Sequence, residues 1–217
     1  MLIEIFLFLL IVIMQNIAVF LDNLGVFFLA KNHKSTKLAG IFAKKNQIDF
    51  LSRGFLFFTP PLLGYLLTHD ALHILLTIFV CSSLVTLFVT FFQSTWLLNN
   101  LKYRFQLAMN FKKAFVIFFG LCIYAIYLYV PFYLNILAYF YKDQSLWLVQ
   151  LSPALTVITS MFVVYYMDPR IARFIDSKDK NKTPGVIFEM IVMRISGRAL
   201  ILATASLLYI KYAYYPS

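Results

Sequence analysis

"LHILLTIFVCSSLVTLFVTFFQSTWLL", residues 72–98, runs without a single Asp, Glu, Lys or Arg. At about 1.5 Å of rise per residue, a helix over this stretch is longer than the ~30 Å hydrocarbon core of a bilayer. An uncharged apolar run of that length reads as a transmembrane helix. The composition of the whole chain agrees with its most apolar part. Of 217 residues, 62% are hydrophobic and 13% charged, with 24 Phe and 14 Tyr, and the mean hydropathy is +0.81. A soluble domain of this size cannot bury that much apolar side chain. The expected fold class is all-α: a polytopic integral membrane helical bundle of about six transmembrane helices, forming a single transmembrane domain over residues 1–217.

Outward from residues 72–98, five further apolar segments have the length of a bilayer crossing. The first covers about residues 2–30 and is interrupted by Asp22, Asn23 and Gly25, which predict a break in its helix. The second, about 47–67, contains Pro60-Pro61, a second expected break. The fourth runs from about 114 to 141 with a bend expected at Pro131, and the fifth from about 146 to 167 with Pro153 near its start. The sixth begins after Pro184 and continues to about 212. The N-terminal "MLIEIFLFLLIVIMQ" has no basic n-region and no small-residue cleavage site, so it reads as a retained span rather than a signal peptide.

The charges between the spans set the orientation. Lys31, Lys34, Lys37, Lys44 and Lys45 lie between spans one and two, and Lys102, Arg104, Lys112 and Lys113 between three and four. Arg170, Arg173, Lys178, Lys180 and Lys182 lie between five and six, whereas the alternate loops hold only His69-Asp70 and Lys142-Asp143. By the positive-inside rule the basic loops are cytoplasmic and both termini face outside. The net charge of +10 therefore reflects topology and not a nucleic-acid partner. Tyr209, Tyr212, Tyr214 and Tyr215 suit an aromatic belt at the outer interface.

Ionisable groups within spans are costly and mark pairing or function. Here they are Glu4, Asp22, Asp49, Arg53, Glu189, Arg194 and Arg198. Asp49 and Arg53 are four apart, with the acid nearer the N-terminus, which favours an ion pair. Glu4 and Glu189 lie near span ends. In "VMRISGRALIL", residues 192–202, Arg194 and Arg198 share one helix face, about 14 and 20 Å from the start of span six. Between them Ser196 and Gly197 are small enough to admit another backbone or a ligand. Two readings stay open. The arginines are interhelical pins on Asp22, Asp49 or Glu189, or they line a cationic cavity for an anionic group, whose phosphate oxygens guanidinium matches in a two-pronged geometry.

Enzymatic signatures are sparse. The seven glycines form no phosphate-binding loop, and His33, His69 and His73 are scattered. Cys81 and Cys122 fall in apolar runs without metal-ligand spacing. No metal and no cofactor is expected. "DPRIARFID" places Asp168, Arg170 and Asp176 together as a surface element on the cytoplasmic side, which keeps a lipid-phosphate-modifying enzyme in view beside a non-catalytic membrane scaffold.

"TKLAGIFAKKNQIDFLSRGFLFFTPPLLG", residues 36–64, resembles the N-terminal signature of Amj-type lipid II flippases in its Ala39, Asn46, Ser52-Arg53 and Pro61-x-x-Gly64. "MDPRIARFID" and "MRISGRAL" are similar to that family's Asp-Pro element and its last-span arginine–glycine segment. The resemblance implies a six-span flippase of the bacterial cytoplasmic membrane. Its substrate would be a polyprenyl-diphosphate-linked cell-wall precursor, moved from inner to outer leaflet by alternating access, with no ATPase domain and with membrane lipids as the other partners. It implies Arg53, Arg194 and Arg198 as diphosphate contacts, and Asp22, Asp49 and Glu189 as counter-charges or proton-coupling groups.

Overall fold

Leu2–Lys31 form one unbroken helix, α1, in a computed structural model that describes residues 2–31, 38–68, 72–101, 111–162, 165 and 183–214. The break expected at Asp22–Gly25 is absent. Asp and Asn interrupt helices when their side chains turn back onto nearby backbone; here both side chains are held by other helices. Gly25 serves a close approach instead: a Cβ there would come within 2.7 Å of Asp49 Oδ1 on the neighbouring helix.

The second segment is two helices, α2 (Leu38–Phe57) and α3 (Thr59–Thr68), interrupted at Phe58. Pro60 and Pro61 fall in the first turn of α3, where a missing N–H costs nothing because no carbonyl precedes it in the helix. Helix α2 begins before the expected residue 47 and carries Lys44 and Lys45. Helix α4 (Leu72–Leu101) contains the opening stretch without interruption. The fourth segment bends as expected: α5 (Phe111–Tyr127) and α6 (Val130–Phe140) meet at 59°, with Pro131 in the first turn of α6. Gln15 of α1 reaches the bend and donates 2.8 Å to the Leu128 carbonyl, while the Tyr129 hydroxyl lies 2.6 Å from Thr86 Oγ1 of α4. A 3₁₀ turn (Lys142–Gln144) leads into α7 (Ser145–Phe162), which contains Pro153, and α8 (Thr183–Tyr214) closes the bundle.

The described residues contain no strand, and three helices are long and apolar enough to cross a bilayer: Ile3–Leu29, Leu72–Asn99 and Ile187–Tyr212. The bent α5–α6 pair makes a fourth if it counts as one span. Large apolar side chains such as Phe88, Phe92, Trp96, Trp147 and Leu207 point outward. Outward apolar surface on this scale suits lipid, not water. The protein is a helical membrane protein. Much of the basic loop charge, at residues 102–110 and 166–182, lies outside the described residues, and Asp168, Arg170 and Asp176 lie there too.

Two apolar cores fill the bundle. One gathers Leu63, Leu75, Phe79, Tyr129 and Phe132, with Phe79 stacked on Phe132 at 5.1 Å. The other gathers Val26, Leu29, Leu97, Ile187 and Met193. Between these cores α1, α4 and α8 bring together polar and charged side chains: Asp22 and Asn23, Thr90 and Gln93, Arg194 and Arg198. A charged layer separates two dry ones.

Helix α5 closes onto α8 at this layer through Gly197, whose added Cβ would sit 3.0 Å from the Leu121 carbonyl oxygen and 3.2 Å from the Ala125 nitrogen. Of the two occupants that Ser196-Gly197 allowed, another backbone is the one found. Both neighbours are main-chain atoms and cannot move aside alone. We therefore expect Gly197→Ala to cost about 1–3 kcal/mol, as overpacking does in cores. At Gly120 an added Cβ would collide with the buried Met193 side chain, so Gly120→Ala should be relieved by shortening that side chain with Met193→Ala, whereas the main-chain contacts at Gly197 allow no such relief. Thermal unfolding in detergent of each glycine variant with and without Met193→Ala checks the contrast, and an equal effect of Met193→Ala on both would refute it.

Candidate functional site: a charged layer with two arginines and one carboxylate

Arg194 and Arg198 stand one turn apart on α8 and reach the same acid on α1. Nη2 of Arg194 lies 3.2 Å from Asp22 Oδ1, and Nη2 of Arg198 lies 3.2 Å from Asp22 Oδ2. One carboxylate thus spans the helical repeat, an oxygen for each guanidinium. Asn23 supplies the second acceptor, its Oδ1 taking hydrogen bonds from Arg198 Nη1 at 3.0 Å and Arg194 Nη1 at 3.4 Å. Its Nδ2 then donates to Gln93 Oε1 at 2.6 Å and Thr90 Oγ1 at 3.3 Å. That amide orientation is the one the chemistry requires, since guanidinium can only donate and needs the oxygen. Arg194 also donates to the Asp22 carbonyl at 3.0 Å and places its guanidinium 5.0 Å from the Tyr124 ring centre.

Burial separates the two arginines. Arg198 has no exposed surface, whereas Arg194 retains 5% and forms part of the wall of a cavity of about 340 Å³. Asn23, Gln93, Phe27 and Trp96 wall the same cavity. Among the described residues the Nε of each arginine has no hydrogen-bond partner.

The remaining charged residues divide. Asp49 pairs with Lys45 at 2.7 Å, not with Arg53 as its spacing suggested. Four residues of α-helix overshoot a full turn by about 40°. Lys45 and Asp49 accordingly stay against α1, while Arg53 has turned towards α7. Asp49 remains within electrostatic range of Asp22 and Arg194. The Ser52 hydroxyl fixes the register of α2 on α1, donating 2.8 Å to the Ala18 carbonyl. Arg53 lines a different cavity, of about 680 Å³, and shares no ion pair with the Asp22 cluster. Glu189 is half-buried on α8, and none of the bonds joining Asp22, Asn23, Arg194 and Arg198 involves it. Of the three arginines expected to act together, two are brought together.

Charge bookkeeping gives the layer its character. Lys45 offsets Asp49, and Asp22 offsets one of two arginines, leaving one positive charge in excess among these five groups. Thr90, Gln93 and Tyr124 complete the site without having been singled out in the sequence, and Asn23, which joins them, reads there as part of a helix break. Thr86, Thr90 and Gln93 do repeat at intervals of four and three, the spacing of a single helix face. Comparison with protein families, curated proteins and solved structures returns no match to this chain.

Proposed function

We propose that the protein is a flippase that moves a polyprenyl-diphosphate-linked precursor from the inner to the outer leaflet of the bacterial cytoplasmic membrane. In this reading all six segments cross the membrane, both termini are outside, and Arg194 is the diphosphate contact. The observation that carries it is that two buried arginines share one carboxylate and that one of them stands on the wall of a cavity. Charge at membrane depth is costly and favours an anionic partner. When a diphosphate takes Arg194, Asp22 keeps Arg198, so each charge retains a counter-ion throughout. The fully buried Arg198 is then the fixed member of the pair and Arg194 the exchangeable one. Phe20, Phe27, Phe92 and Trp96 around the cavity offer an apolar surface for an isoprenoid chain.

A non-catalytic scaffold is the second reading, favoured by one observation: the Nη atoms of both arginines already have protein partners. Leaflet-resolved movement of a polyprenyl-diphosphate lipid in vesicles carrying only this protein separates the two. Movement no faster than in protein-free vesicles would remove the flippase reading. No geometry among the described residues favours the lipid-phosphate-modifying enzyme.

The topology has its own test. On a background lacking Cys81 and Cys122, a cysteine introduced by Ser177→Cys should resist an impermeant thiol reagent in intact cells and react after lysis. Labelling in intact cells would invert the orientation.

A further inference from the structure

The larger cavity is lined on α2 by Arg53, Leu56 and Phe57, a turn or more along the helix from the Lys45–Asp49 pair. Two helix breaks and a mid-helix proline meet at it: Pro60 and Pro61 after the α2–α3 break, Leu128 at the α5–α6 bend, and Pro153 within the continuous α7. Irregular backbone at membrane depth is tolerated where it is buried in protein or lines a cavity. At about 680 Å³ the space falls within the ~300–1,000 Å³ typical of ligand sites.

Its wall is apolar apart from Arg53, Gln150 and Ser152. Arg53 is half-buried, its Nε is fully buried, and among the described residues that Nε has no hydrogen-bond partner and the side chain no ion pair. The nearest acid in sequence, Asp49, is occupied by Lys45. The protein therefore presents a permanent cation to this cavity without a described counter-ion. The rim decides what kind of anion suits it. Phe57, Val157, Met161 and Tyr165 line the cavity and are each more than half exposed, so the approach to Arg53 passes over apolar side chains. A free phosphate ion would gain nothing from such a rim; a lipid would bury its chain along it.

We infer that this cavity is a binding site for a net-anionic phospholipid, its phosphate on the Arg53 guanidinium and its chain along Phe57, Val157 and Met161. The site is separate from the charged layer at Arg194, and it stands whether or not the protein moves lipid between leaflets.

The experiment is native mass spectrometry of the full chain in neutral detergent with dioleoyl-phosphatidylglycerol or dioleoyl-phosphatidylcholine as the added probe. Wild type should retain one phosphatidylglycerol in clear preference to phosphatidylcholine. Arg53→Gln should lower that retention at least tenfold, Arg53→Lys should lower it less, and Lys211→Gln, which removes an exposed charge remote from both cavities, should leave it unchanged. Val157→Trp, which fills the cavity and keeps the charge, should also displace the lipid, so a folding defect in Arg53→Gln would not decide the matter. Equal retention of the two lipids, undiminished retention in Arg53→Gln or Val157→Trp, or an equal loss in Lys211→Gln would overturn the assignment. Displacement of the lipid by millimolar inorganic phosphate would overturn it too, by making the site one for the free ion.

Discussion

Asp22→Asn should destabilise the bundle more than any other single substitution in the charged layer, by about 3–5 kcal/mol. The reason is arithmetic. Asp22 is the carboxylate that both Arg194 and Arg198 reach, so its loss strands two buried guanidiniums at once. Breaking an ordinary buried pair strands one. Arg198→Gln should be milder, because it leaves Asp22 and Arg194 as a balanced pair and removes the surplus charge. The double variant Asp22→Asn with Arg198→Gln leaves one unpaired arginine and should fall between the two. Folded yield by size-exclusion in detergent, with thermal unfolding of what is recovered, gives the ranking. Recovery of Asp22→Asn at wild-type yield and melting temperature would mean that water or lipid, not Asp22, compensates the arginines.

That ranking depends on a partner that spacing alone left open. The positions of Arg194 and Arg198, four apart in an apolar run, sufficed to place them on one face and to require compensation. Asp22, Asp49 and Glu189 were equivalent candidates, because nothing local in a sequence says which helix lies opposite. Asp49 was paired with the wrong neighbour for a related reason. The i, i+4 rule offers Lys45 and Arg53 equally, and the packing of α2 on α1 chooses Lys45. Asp22, Asn23 and Gly25 read as a helix break because in water those residues punctuate helices. In this bundle two of them face partners on α4 and α8 and the third admits Asp49, so α1 runs through. The prolines were legible. Their effect is covalent and local, and both expected interruptions occur within a few residues of them. The apolar segments were legible as helices apart from the breaks at Phe58 and at Leu128–Tyr129, although among the described residues three, or four with the bent α5–α6 pair, are long and apolar enough to cross a bilayer.

Arg194→Gln should abolish or sharply slow flipping while leaving the fold largely intact. The fold argument follows from the cluster: with Arg194 gone, Asp22 still holds Arg198 through its second oxygen, and Asn23 still accepts from Arg198 Nη1. The surplus charge disappears, which relieves a cost of burial. The transport argument follows from the cavity, where Arg194 is the arginine on the wall and Arg198 has no exposed surface. A charge-assisted contact is worth roughly 1.5–3 kcal/mol, so its loss should slow flipping by about 10- to 100-fold. Arg194→Lys should recover only part, because ammonium keeps the charge but not the paired donors that match phosphate oxygens. The scaffold reading expects something else: Arg194→Gln and Arg194→Lys would differ in stability alone, with any lipid movement equal to that of wild type. Flipping rates in vesicles, normalised to folded protein and compared across Arg194→Gln, Arg194→Lys and Arg198→Gln, distinguish the two. A selective loss at Arg194 identifies the exchangeable cation, whereas equal loss at both arginines would assign them a joint role and contradict the division drawn from burial.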